Sequence, residues 1–181
     1  AIGIIYSNYY YDIEKATEYF EKNLYICQRT NNLSFMSYSY NNLAEMYREK
    51  DKFSESLEYY NKALEIIDKI HNKYLETMIY MNQSLVNMEL ENYKKSLKCM
   101  DKAQTIINES KDLGEAIQYY YIYKAMFNYN IGYFEKAIDY AQKSVDMCIS
   151  WGAEADPEAF CIIRLCKAQL YRDLDFESFM D

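Results

Sequence analysis

Residues 52–68 read KFSESLEYYNKALEIID, and close variants of that phrase occur three more times. Upstream the chain has IEKATEYFEKNLYIC (13–27); downstream it has YKKSLKCMDKAQTII (93–107) and FEKAIDYAQKSVDMC (134–148). Aligned on one small residue (Ala16, Ser56, Ser96, Ala137), the phrases lie 40, 40 and 41 residues apart. A bulky residue stands three positions before each: Ile13, Phe53, Tyr93 and Phe134. Matched positions follow four later (Phe20, Tyr60, Met100, Ala141), seven later (Asn23, Ala63, Ala103, Ser144) and eleven later (Cys27, Ile67, Ile107, Cys148). These offsets mark one face of an α-helix. A fixed period of this length is the signature of stacked copies of one supersecondary unit.

A second helical pattern precedes each of the last three phrases. Leu43-Ala44, Met46 and Tyr47 recur as Ser84, Val86 and Asn87, then as Ala125, Phe127 and Asn128, while Tyr40, Tyr80 and Tyr121 hold a further matched position. Short polar joints separate the two helices: EKDK (49–52), ELEN (89–92) and NIGY (130–133). Other joints close each copy: RTNN (29–32), KIHNK (69–73), NESKDLGE (108–115) and SWGAEADPE (150–158). Asp156-Pro157 is a helix-start signal, Asp as N-cap and Pro in the first turn. Each copy is therefore helix A, turn, helix B, with the small residue allowing close approach.

The chain resembles the tetratricopeptide repeat. The second copy carries the pattern best, in Tyr40, Leu43-Ala44, Tyr47, Ser56, Tyr60 and Ala63; the third and fourth place Asn87 and Asn128 where the family has Tyr, and the fourth has Lys124 where Leu is usual. The family's basic period is shorter, about 34 residues. A longer one is similar to the long-helix subgroup of bacterial peptide-pheromone receptors and sensor or scaffold proteins. The resemblance implies an all-α, right-handed superhelical solenoid of antiparallel helix pairs, with about four and a half repeats as one domain over residues 1–181. The repeats fall at about 1–32, 33–73, 74–114, 115–156 and a partial 157–181. In the last, Ala168 and Tyr171 take the matched positions of a helix A, and DFESFMD (175–181) starts its helix B. A chain opening and closing inside a repeat is expected to be a fragment of a longer protein.

The resemblance also implies a binding groove lined by helices A. Its residues are Tyr38, Asn41, Glu45 and Arg48 in the second repeat; Met78, Met81, Leu85 and Met88 in the third; and Tyr119, Ile122, Met126 and Tyr129 in the fourth. Asn42 and Asn82, 40 apart, flank it. Met adapts to varied partners and Tyr gives contact area at low entropic cost. The groove is expected to hold a peptide or protein segment by apolar pockets, with Asn pairing to its backbone. Met81→Asp with Met126→Asp is then expected to leave the fold intact and abolish binding. The basic clamp with which some members hold a terminal carboxylate is missing. Asn87 and Asn128 are expected as buried amides satisfied by a backbone carbonyl or a water, with a second polar ligand contact as the alternative.

Bulk properties set other classes aside. A formal charge of −8 argues against nucleic acid as partner. Four Gly and one Pro suit long helices with short joints. The 22 Tyr, with abundant Asn and Lys, match AT-rich codons. One His, His71 in a turn, and five Cys with no CxxC give no metal site or disulfide framework. Cys27 and Cys148 take a core position that is Ile elsewhere, and Cys161 or Cys166 is the candidate exposed thiol. No signal peptide or bilayer-length apolar run is present. The expectation is a non-enzymatic binding module without cofactors, cytoplasmic and not membrane-bound, possible as a homodimer, serving as a regulatory or sensory part of a larger bacterial protein. Alternatives are the peptide-pheromone-binding part of a transcription regulator and the input domain of a signalling cyclase or kinase.

Overall fold

Seven residues enter the left-handed backbone region among those described, and their positions organise the fold. Tyr11, Asn31, Asp51, His71 and Glu91 lie 20 apart, as do Gly132 and Gly152. Each lies in the joint that follows a helix, so the 40-residue repeat is also a 20-residue alternation of helix and turn. In the computed structural model, which describes residues 2–8, 11–110 and 113–180, the helices are α1 (Ile2–Asn8), α2 (Ile13–Arg29), α3 (Leu33–Glu49), α4 (Phe53–Ile70), α5 (Lys73–Glu89), α6 (Tyr93–Glu109), α7 (Gly114–Asn130), α8 (Phe134–Ser150) and α9 (Pro157–Met180). Lys111 and Asp112, in the NESKDLGE joint, lie outside the described residues, as does the side chain of Tyr171.

Five of these turns share one hydrogen-bond scheme. The residue after the left-handed one donates its N–H back across the turn: Asn32 to the Cys27 carbonyl at 2.9 Å, Lys52 to Tyr47 at 2.9 Å, Asn92 to Asn87 at 2.7 Å, Tyr133 to Asn128 at 2.8 Å and Ala153 to Cys148 at 2.9 Å. These bonds satisfy carbonyls that a helix end leaves open. The next helix is capped by a short polar side chain at several starts: Asp12 accepts from the Lys15 N–H at 3.0 Å, Asn32 from Phe35 at 3.2 Å, Asn72 from Leu75 at 3.0 Å, and Asp156 from Glu158 at 2.9 Å.

The chain divides into two compact units, Ala1–Ile106 and Ile107–Asp181. Within the first, the small residues Ala16, Ser56 and Ser96 are fully buried, as the alignment requires. Ala16 and Phe20 of α2 pack with Leu43 and Met46 of α3. Ala44, Tyr60, Ala63, Ile67, Leu75, Ile79 and Val86 form the core of α3, α4 and α5. Ser84 and Ser96, both fully buried, pair by their hydroxyls at 2.7 Å, which removes the cost of burying either alone. Within the second unit, Ile122, Ala125, Ala137, Ala141, Val145, Ala159, Ile162 and Cys166 form the core. Asn87 and Asn128 are buried and donate to the carbonyls of Gln83 and Lys124, each at 2.7 Å.

Many tyrosines have a repeated structural place. Tyr59 stacks on Tyr47 at 5.0 Å and Lys62 lies over its ring at 4.8 Å. Tyr140 stacks on Tyr121 at 6.2 Å with Lys143 over it at 5.1 Å, and Lys102 lies over Tyr80 at 4.8 Å. The lysines keep the repeat spacing, so cation–π contacts recur with the helices. One expectation fails at the C-terminal end. No turn precedes the DFESFMD segment, and α9 runs through Met180 as one helix. Residues 158–180 contain no Gly or Pro to end it.

Candidate functional site

Along α3 a polar and aromatic stripe runs Phe35, Tyr38, Asn42, Glu45, Glu49, spaced three and four residues apart, which is one face of a helix. It faces two clefts in the first unit. One, about 720 Å³, is lined from α3 by Phe35, Tyr38, Ser39 and Asn42, and from α2 by Tyr19, Phe20, Lys22, Asn23 and Ile26. The other, about 590 Å³, is lined from α3 by Asn42, Glu45, Met46 and Glu49, with Tyr11, Ile13 and Phe20 beside them. Ile4 of α1, Phe20 and Asn42 border both clefts.

Gly3 decides how α1 reaches this site. A Cβ there would stand 2.8 Å from the Phe20 ring, closer than carbon atoms pack, so only glycine lets α1 lie on that ring. The larger cleft has an apolar rim open to solvent: Ile26 and Phe35 are each 58% exposed and Tyr38 is 40% exposed. Its polar groups are partly spoken for. Asn23 donates to the Ser39 hydroxyl at 2.6 Å, which donates to the Phe35 carbonyl at 2.8 Å.

The smaller cleft is acidic. Arg48 meets three carboxylates: Glu89 at 2.9 Å, Glu45 at 3.6 Å through Nε, and Glu49 in direct contact. The second oxygen of Glu45, Oε1, is buried and no protein donor reaches it. Burial pushes the Glu45 carboxyl up to about 7; Arg48 opposes this, and Glu49 and Glu89 add to it.

The sequence-derived groove residues separate into groups. Tyr38, Asn42 and Glu45 line the clefts. Asn41 and Arg48 instead join α3 to α5: Asn41 accepts from Asn82 at 3.4 Å, and Arg48 binds Glu89. In the third repeat Met81 has no exposed surface, Met88 and Asn82 are buried, and Met78 and Leu85 are half-buried. In the fourth, Ile122 is buried, Met126 and Tyr129 pack against the second unit's core, and Tyr119 is exposed. Met81, Met88 and Ile122 are thus packed residues here, not a ligand surface. Helical spacing identifies the inward face of a helix but not whether neighbouring side chains close over it. Phe35, Ile26, Phe20 and Glu49 were absent from the sequence-derived set. Phe35 and Glu49 were findable, since they extend the stripe of Tyr38, Asn42 and Glu45 by a turn at each end.

Among the described residues no cluster of His, Cys, Asp and Glu has the makings of a metal site, and no described helix is long and apolar enough to cross a membrane.

Residues 12–69 match the tetratricopeptide repeat family model. No curated protein sequence matches the chain. Solved structures do. BtubC (BKLC) from P. vanneervenii is 18% identical with a TM-score of 0.64 over 86% of this chain and 64% of its own. The apo form of RapI is 19% identical, TM-score 0.58, over 89% of this chain and 49% of its own. A Podosopora anserina protein of nearly identical TPR-like repeats, of the kinesin light chain type, is 11% identical, TM-score 0.62, over 99% of this chain and 88% of its own. The chain spans less than two thirds of the first two, and at these identities the likeness is one of fold.

Proposed function

Since this chain is a tetratricopeptide-repeat protein, a fold suited to protein interaction, we propose that it binds a peptide or protein segment, without catalysis, in the clefts that α3 forms with α1 and α2. The observation that supports this reading is the exposed apolar rim of Ile26, Phe35 and Tyr38 around a cleft of about 720 Å³. Large aromatic and aliphatic side chains left in water around a concavity carry an unmet driving force for association. Asn42, between the two clefts, supplies an amide that can pair with the backbone of an extended segment.

The test is selection of random peptides on the immobilised chain, followed by affinity measurement on the wild type and on Phe35→Asp with Tyr38→Asp. Both residues are exposed, so the double variant keeps its fold. Selected peptides should lose about tenfold or more in affinity on the variant, the scale of a lost aromatic anchor. Equal affinity for the two proteins, or no peptide selected at all, refutes this site.

A further inference from the structure

The smaller cleft shows which chemistry the bound segment carries. Its wall is apolar where Ile4, Ile13, Phe20 and Met46 line it, and acidic where Glu45 and Glu49 do; none of its lining residues is Lys or Arg. An apolar sleeve ending in carboxylates complements one kind of side chain, a long aliphatic stem with a cation at its tip.

Charge accounting at the acidic end supports this. Glu45, Glu49 and Glu89 share the single guanidinium of Arg48. The nearby Lys50 is committed to Glu14 at 3.1 Å and to the Thr17 hydroxyl at 3.1 Å. One cation among three carboxylates leaves an excess of negative charge in a partly buried place, where an unpartnered carboxylate is costly. The Glu45 side chain is 27% exposed, yet its Oε1 is buried with no protein donor. A cation carried in by a ligand to the exposed part of the Glu45 side chain and to Glu49 would neutralise part of the excess. The chain's formal charge of −8 would draw such a ligand in.

We propose that the cleft between α1, α2 and α3 takes a lysine or arginine side chain of the bound segment, its stem along Ile13, Phe20 and Met46 and its cationic tip at Glu45 and Glu49. This rests on the segment-binding reading above and gives it a sequence preference. The neighbouring apolar cleft shares Ile4, Phe20 and Asn42, so the preferred segment sets a basic residue beside an apolar or aromatic one. Cation binding also displaces the proton that Glu45 holds near neutral pH, so affinity rises with pH.

A small probe pair isolates this chemistry from peptide binding. We would titrate the full chain with n-hexylammonium and, separately, with n-hexanol, following the methyl resonances of isoleucine and methionine by NMR. The ammonium should bind about tenfold or more tightly than the alcohol at pH near 8 and lose that preference as pH falls toward about 6. Glu45→Gln and Glu49→Gln should each reduce the preference; far-UV circular dichroism checks that both fold, with Arg48 keeping two acidic partners in either. Equal affinity for the two probes, no saturable binding of the ammonium, or a preference unchanged in both variants overturns the inference. The two readings fail separately. Peptides selected through Phe35 and Tyr38 without ammonium preference would sink this inference alone, whereas ammonium preference with no selectable peptide would sink the segment-binding reading.

Discussion

Met81 offers a direct test of how the third repeat is packed. Its side chain has no exposed surface, whereas Tyr38, one repeat earlier on the same kind of helix, is 40% exposed. Replacing Met81 by Asp removes a packed thioether and leaves a carboxylate in its place. Truncating a core Met costs about 2–5 kcal/mol. A buried acceptor without a partner adds about 1–3 kcal/mol. The sum is comparable with the whole stability of a typical domain, about 5–15 kcal/mol. The buried carboxyl will hold its proton above the usual value of about 3.9, so the penalty deepens as pH rises through that range. Urea unfolding followed by far-UV circular dichroism reads the effect. Met81→Asp should lower the midpoint severely or abolish the transition, Met81→Leu should cost less than about 1.5 kcal/mol, and Tyr38→Asp should be near neutral. A Met81→Asp protein within about 1 kcal/mol of wild type would refute the packing described here. It would restore Met81 to the ligand surface that helical spacing assigns it.

Glu45 makes stability depend on pH in a defined direction. Its folded carboxyl titrates at about 7 against an unfolded value of 4.5, so the folded state binds more protons between them and stability falls as pH rises through that window. The loss is up to roughly 3 kcal/mol, and Glu45→Gln should remove it, as denaturation at about pH 5 and about pH 8 would show. At the turns, Glu91 and Gly132 hold φ of 56° and 80°. Gly132→Ala should destabilise by about 1–2 kcal/mol and Glu91→Gly should stabilise by several tenths to about 1 kcal/mol, both read as shifts in melting temperature. Of the five cysteines only Cys161 is exposed, so one thiol should react rapidly with an aromatic disulfide reagent in the native protein and Cys161→Ser should eliminate it.

The repeat units and their joints could be read from the chain because they follow local rules. The positions of Ala16, Ser56, Ser96 and Ala137 recur at the period, and helix ends fall where the polar joints lie. The buried amides Asn87 and Asn128 were also readable, since a polar residue at a core position in a helix can bond the carbonyl four residues back. The left-handed turn residues were harder: Tyr11 and Glu91, unlike Asn31 and Asp51, are not turn formers by type, and only the regular 20-residue spacing marks them. At the site, Tyr38, Asn42 and Glu45 were placed on the groove from their position on helix A, but Ile26 and Phe20 of α2 were not, because a cleft wall is assembled from three helices.

What the sequence alone determined is whatever depends on neighbours along the chain: the helical period, the small contact residues, the caps and the acidic balance. These follow from side-chain size, hydrogen-bonding capacity and charge at fixed offsets. Only the tertiary structure decided which inward-facing side chains are covered and which stay open. Tyr38 and Met78 hold equivalent groove positions in two repeats, and one rims a cleft while the other is half-buried. The same is true of charge. Arg48, Glu45, Glu49 and Glu89 read along the chain as ordinary surface residues, but brought together they leave one carboxylate oxygen without a donor. Burial and pairing are properties of the space between helices, and that space exists only once the helices have packed.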